Sequence, residues 1–187
     1  MKKGTIIGLV VLGVVLLLVF SLVGNYNTMV TSRENVDTEM ANVDVYLQRR
    51  ADLIPNLVST VKGYAQHEEK VIDSITSARE NLLAAKSVED KANANQELTN
   101  AISALMVIVE NYPDLKANTN FINLQDELAG TENRIATARR DYNSAVKEYN
   151  TLIVKFPNNI IASMFNFSKA DYFNADPAKV EVPNVEF

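Results

Sequence analysis

The sequence contains no cysteine, no tryptophan and a single histidine, His67. Without cysteine the chain can form no disulfide, has no thiol nucleophile and offers no thiolate to a metal. A structural zinc site usually needs several His or Cys ligands, and the segment His67–Val71 lacks the second histidine of the zinc-protease motif HExxH. We therefore predict that the protein binds no metal and no cofactor.

Sequence motifs for catalysis are missing as well. The chain has no glycine-rich phosphate loop and no serine-nucleophile motif, and the lack of further histidines argues against a conventional catalytic triad. Its many carboxylates are typical of solvated helix faces. We predict no catalytic residue and no enzymatic activity.

Basic residues are outnumbered by acidic ones, 18 against 23, and the net charge is −5. Two of the basic residues are Lys2 and Lys3, so the rest of the chain is more acidic still. Nucleic-acid binding depends on Lys and Arg that neutralise phosphates. We therefore predict no nucleic-acid partner.

Charges are absent altogether from Gly4 to Gly24. A helix of that length spans the roughly 30 Å hydrocarbon core of a bilayer. A secretory signal peptide is the alternative, but its apolar region is usually shorter and only Val19-Phe20-Ser21 resembles a cleavage site. We predict a single-pass anchor in the lipid bilayer. Lys2 and Lys3 precede it and only Arg33 follows closely, so the amino terminus should be cytoplasmic and the remaining domain outside the cytoplasm.

Beyond the anchor, mostly apolar residues repeat with the alternating spacing of three and four that predicts helices with one buried seam. The polar exceptions are Arg33, Arg50, Glu68 and Thr131. Three such series are present. They are Tyr26, Met29, Arg33, Val36, Met40, Val43, Leu47 and Arg50; Ile54, Leu57, Val61, Tyr64, Glu68, Val71, Ile75, Ala78, Leu82 and Ala85; and Phe121, Leu124, Leu128, Thr131, Ile135, Ala138, Tyr142, Ala145, Tyr149, Leu152 and Phe156.

A further helix should lie between the second and third series. Ser87 and Asp90 form a variant of the capping box that would open it, and Pro113 would end it. The fold predicted is all-α: a transmembrane helix over residues 1–24, and an antiparallel up-and-down four-helix bundle with a short C-terminal helix over 25–168. An extended tail would occupy 169–187.

Pro55 is ambiguous in this scheme. It lacks an N–H and disfavours helical geometry at Ile54, which indicates a turn near residues 50–53. The apolar spacing nevertheless runs through it unbroken, as a kinked continuous helix would also explain. We favour the turn.

The same segment resembles the LemA family. The block from Val43 to Val58, the stretch Val61–Glu68, the linker Tyr26-Asn27 and the late Phe156-Pro157 motif all match, as does Ala78-Arg79. Many members carry Gly at the position of Asn166. The residues that match the central motif are Arg49, Arg50, Asp52, Leu53, Pro55, Asn56, Leu57, Val58, Val61, Gly63, Tyr64, His67 and Glu68.

The resemblance implies a helical bundle on a membrane anchor in bacteria, with no established enzymatic activity. Family members are linked to membrane shaping, and their genes often accompany membrane proteases. Two functions remain open: a scaffold that self-assembles into a homo-oligomer at the membrane, which we favour, and an adaptor or chaperone-like partner of a membrane protein.

Three charged residues fall on predicted seams. If the flanking helices turn back at Pro55, Arg33 lies nearer to the level of Glu68 than Arg50 does, which predicts a buried Arg33–Glu68 ion pair. Arg50 would then pair with Asp52 or with another helix. The alternative is that these long side chains extend to water.

The C-terminal tail alternates apolar and acidic residues around two prolines and cannot be helical throughout. Its apolar positions, which would contact the bundle or a neighbouring subunit if the tail is ordered, are Val180, Val182, Val185 and Phe187. A disordered end is the alternative.

Overall fold

A computed structural model describes residues 3–65 and 67–174, and every regular element in these ranges is an α-helix. The helices are α1 (Lys3–Lys62), α2 (Glu69–Ala84), α3 (Val88–Val109), α4 (Pro113–Lys116), α5 (Thr119–Val154) and α6 (Asn158–Met164). The all-α prediction is thereby confirmed.

The chain divides into two compact units. Among the described residues, the first, called the anchor unit here, comprises 3–38 and 144–170; the second, the motif unit, comprises 39–65, 67–143 and 171–174. The long helices α1 and α5 contribute residues to both.

The core of the motif unit follows the predicted spacing of apolar residues. α2 and α3 form a helical hairpin across a three-residue connection, 85–87, and pack extensively against each other. The buried residues of this unit include Val43, Leu47, Ile54, Leu57, Val61, Ile72, Ile75, Ala78, Leu82, Ala92, Leu98, Leu105, Phe121, Leu128, Ile135, Ala138 and Tyr142.

The turn predicted at Pro55 is wrong. α1 continues through Pro55 to Lys62, and the chain turns instead between Lys62 and Glu69. The series from Ile54 to Ala85 is therefore divided between the end of α1 and α2. The physical reason is a hydrogen bond from another helix to the backbone that Pro55 leaves unpaired, described below.

The predicted N-cap at Ser87 is confirmed, whereas the helix that it opens ends before Pro113. Ser87 is the N-cap of α3, where its hydroxyl accepts a hydrogen bond from the Asp90 amide at 3.0 Å. α3 ends at Val109, and Pro113 occupies the first turn of α4, where its missing N–H costs nothing. The side chain of Asn118 accepts from the Phe121 amide and so caps α5.

The anchor unit places Met29, Val36, Tyr149 and Ile153 in its interior. After α6, Asn166 adopts a left-handed conformation with φ of 58°. Glycine and asparagine tolerate this region best, so Asn166 suits the conformation of this position.

Two Tyr-Asn pairs of α5 bind the extended segment that follows α6. In the anchor unit, Tyr149 donates to the Ser168 carbonyl, and the Asn150 amide both donates to and accepts from the Ala170 backbone. In the motif unit, the equivalent bonds are from Tyr142 to the Asp171 carbonyl and between Asn143 and the backbone of Phe173, which is fully buried. The predicted contacts of Val180, Val182, Val185 and Phe187 lie outside the described residues.

Candidate functional site

The resemblance motif surrounds a proline within α1. Pro55 has no N–H, so the Ala51 carbonyl lacks the donor that position 55 would normally provide. Arg79 of α2 fills this role: its Nε donates to the Ala51 oxygen at 2.8 Å. The continuous helix is thus tolerated because a second helix satisfies the orphaned carbonyl.

Arg50, the neighbour of Ala51, is the charged centre of the motif and is only 3% exposed. Its Nη1 donates to Asn95 Oδ1 of α3 at 2.6 Å and lies 2.7 Å from Glu132 Oε2 of α5. The Arg50–Glu132 contact is an ion pair without hydrogen-bond alignment, and Arg50 Nε has no hydrogen-bond partner among the described residues. One cation, one amide and one anion therefore join three helices.

Burial lowers the pKa of Arg50 from its ordinary value, and the negative charge of Glu132 opposes this shift. Desolvation is the larger effect because the guanidinium is almost wholly removed from water, whereas the Glu132 side chain remains 38% exposed. Burial of this pair therefore costs desolvation free energy. This cost fits a role in fixing the register of the helices.

The predicted Arg33–Glu68 ion pair is wrong. Arg33 pairs with Asp37 one turn along α1, at 3.2 Å, and its guanidinium lies over the Tyr149 ring. Glu68 accepts a hydrogen bond from the Tyr112 hydroxyl at 2.8 Å, which raises the pKa of Tyr112. The prediction failed because it counted the positions of Arg33 and Glu68 along their helices from a turn at Pro55, whereas α1 is continuous there.

Arg50 does not extend to water, and its partners come from other helices, as one of the sequence alternatives held. Neither Asn95 nor Glu132 was identified from the sequence. The sequence did contain a signal for Asn95, which lies three residues before Leu98 and so falls on the same buried side of α3. A buried amide at such a position needs a hydrogen-bond partner.

The other motif residues lie around this centre. Arg49 forms an exposed ion pair with Glu127 at 2.8 Å, and Asp52 accepts from Gln48. The Tyr64 hydroxyl accepts from the Asn118 amide. Of the remainder, Leu57 and Val61 are buried, Leu53 and Val58 are half-buried, and Pro55, Asn56, Gly63 and His67 are exposed.

Beside Arg50 and Glu132 lies a groove of about 430 Å³. The other residues that line it are the apolar Ile102, Met106, Leu128 and Ala129 and the polar Gln125 and Asp126. Within residues 3–65 and 67–174 no group of three or more metal-ligating side chains comes together.

Its described fold and the apolar end of α1 place this chain in a class of all-helical proteins with an N-terminal helix long and apolar enough to cross a membrane. The chain belongs to the LemA family, whose sequence profile matches residues 39–187. It is 30% identical to magnetosome proteins MamQ 1 and MamQ 2 of Paramagnetospirillum magneticum, over 94% of this chain and 75% of each relative. It is 24% identical to protein LemA of Metamycoplasma hominis, over 83% of this chain and 72% of that protein.

A double-mutant cycle tests the role of Arg79. We expect Arg79→Ala to lower the free energy of unfolding by about 1–3 kcal/mol, because the Ala51 carbonyl loses its donor. In a Pro55→Ala background the new amide satisfies that carbonyl, so the same substitution should cost much less. Urea unfolding of the detergent-solubilised chain, followed by circular dichroism, measures both. Equal costs in the two backgrounds would show that Arg79 does not compensate for Pro55.

A second comparison tests the buried charge. Glu132→Ala should lower the free energy of unfolding by about 1–3 kcal/mol because it leaves Arg50 buried without a counter-charge. Removal of both charges in Arg50→Met/Glu132→Gln should be less damaging than Glu132→Ala alone. Glu127→Ala is the matched control, since its pair with Arg49 is about half exposed and should contribute less than about 1 kcal/mol. Equal effects of Glu127→Ala and Glu132→Ala would contradict a special role for the buried pair.

Proposed function

We propose that this protein is a non-enzymatic, membrane-anchored helical scaffold that self-assembles and organises the membrane or envelope. The observation that carries the proposal is the apolar end of α1, where large side chains such as Leu17 and Phe20 are 71% and 74% exposed. A bilayer is the environment that covers such a surface on a helix of this length. α1 then continues without a break from this apolar stretch into the motif.

The helical domain is proposed to be an antiparallel up-and-down four-helix bundle. Three sets of contacts within the motif unit support it: Arg50 reaches α3 and α5, Arg79 of α2 reaches α1, and Lys91 of α3 binds Asp44 of α1 at 2.7 Å. These polar bonds join α1 to each of the other three long helices.

A role in membrane organisation is supported by the relatives of this chain. The MamQ relatives are magnetosome proteins, and a role in membrane organisation is therefore proposed for this chain as well. The tail residues Val180, Val182, Val185 and Phe187 are proposed to bind a neighbouring subunit.

Light-scattering mass measurement of the detergent-solubilised full chain tests assembly. We expect a discrete homo-oligomer, and a smaller particle when the chain is cut after Asp176 because the apolar tail is removed. A matched variant keeps the length and replaces the four tail residues with Asn. A monomeric full chain would reject the scaffold.

The alternative is an adaptor for a membrane protein. The groove beside Arg50 favours it, because it combines apolar side chains with the charges of Arg50, Asp126 and Glu132, and an amphipathic peptide could bind such a surface. A monomeric chain that crosslinks in the membrane to another protein through this groove would establish the adaptor instead.

The proposed topology places the amino terminus in the cytoplasm and the helical domain outside it. The chain has no native cysteine, so Val107→Cys creates a unique thiol at a position that is 72% exposed. In intact cells this thiol should react with a membrane-impermeant maleimide, whereas Gly4→Cys should react only after lysis. The reverse pattern would place the domain in the cytoplasm.

A further inference from the structure

The end of the anchor unit around α6 exposes an unusual number of large apolar side chains. Phe156 is 82% exposed, Met164 65%, Phe165 53% and Ile160 51%. We call these four residues the α6 face. Ile161, on the same short helix, is 2% exposed, so α6 packs on the unit with one side and presents the other outward.

An aromatic contact places Phe165 of the α6 face beside the end of the apolar stretch of α1. Tyr26 follows Gly24, the last residue of the uncharged run, by two positions. Its ring lies 4.8 Å from the Phe165 ring and 5.7 Å from the Phe167 ring, measured between centroids. Tyrosine at the end of a membrane helix typically lies at the level of the lipid headgroups. The α6 face adjoins that level.

Charge gives an independent indication of what this face meets. No acidic residue occurs between Glu148 and Asp171, although the chain as a whole has net charge −5. The two charged residues in this interval are Lys155 and Lys169, both exposed. An exposed apolar segment flanked in sequence by lysines matches the boundary of a bilayer with anionic headgroups.

We propose that the α6 face is a second membrane contact, which inserts into the headgroup and upper acyl region while Lys155 and Lys169 bind anionic lipid. The proposal rests on the membrane anchoring proposed above and extends it: the protein meets the bilayer through α1 and, beside it, through Phe156, Ile160, Met164 and Phe165. The assigned occupant is lipid because the face is continuous with the helix end that the bilayer already covers.

The α6 face is also held in place before any lipid binds. It follows directly from α5, which ends at Val154, and the chain after it is fixed by the bonds of Tyr149 and Asn150 to Ser168 and Ala170. Membrane contact would therefore need little ordering of the backbone, which favours binding.

Lipid quenching in the full chain tests the proposal. Single substitutions Ile160→Cys and Met164→Cys carry a small fluorophore in vesicles of phosphatidylcholine and phosphatidylglycerol, with nitroxide lipid as the membrane quencher and acrylamide as the aqueous one. Val107→Cys is the matched exposed apolar control, and Leu17→Cys reports on the anchor. We expect nitroxide lipid to quench labels at 160 and 164 several-fold more strongly than the label at 107, and acrylamide to show the opposite order.

The outcomes separate this proposal from membrane anchoring itself. Absence of lipid quenching at position 17 would reject the anchor. Quenching at 17, with positions 160 and 164 behaving like 107, would reject the α6 face alone. Protection of 160 and 164 from both quenchers would also overturn it, because a second copy or another protein would then cover the face.

A separate measurement tests the role of Lys155 and Lys169. Removal of phosphatidylglycerol should raise acrylamide quenching at position 164, and Lys155→Gln/Lys169→Gln should abolish that lipid dependence. Lys86→Gln, a change at another exposed lysine, should preserve it. The same lipid dependence in both variants would exclude binding of anionic lipid by Lys155 and Lys169.

Discussion

Pro55 leaves the carbonyl oxygen of Ala51 without a donor inside α1, and the guanidinium of Arg79 supplies one from α2. An internal proline ordinarily costs a helix about 3 kcal/mol and bends or ends it. Here the cost is offset, and α1 extends to Lys62, which brings Leu57 and Val61 into the core. The same bond also joins α2 to α1.

Arg50, the residue immediately before Ala51, makes a second polar connection between helices. Its bond to Asn95 and its ion pair with Glu132 require α1, α3 and α5 to stand in one register, since a shift of one residue would leave a buried cation unpaired. Apolar seams alone permit neighbouring registers, because leucine, isoleucine and alanine contacts are not directional. The motif therefore combines a non-directional core with two directional interactions at consecutive residues.

The seam spacing was sufficient to predict the helical class and the course of α5, and the Ser87–Asp90 motif was sufficient to predict the cap of α3. These features depend on local periodicity and local hydrogen bonds. It was not sufficient at Pro55, where the outcome depends on Arg79, twenty-four positions away. The Arg33–Glu68 pair failed for the same reason, since it inherited the false turn. Glu132 carried no sequence signal, because an acidic residue beside a seam is common on any solvated helix.

The two Tyr-Asn pairs show how a short segment can be fixed outside a core. They recur seven residues apart on α5, while the backbone groups they bind recur three residues apart, from Ser168 to Asp171 and from Ala170 to Phe173. Seven residues of helix rise about 10 Å, the length of three extended residues, so one repeat serves both partners. Each asparagine amide supplies a donor and an acceptor, as a neighbouring strand would. In the anchor unit this arrangement fixes the chain after α6 without covering the four exposed residues of the α6 face. The four side chains therefore stay directed outward, as the proposed contact with lipid requires.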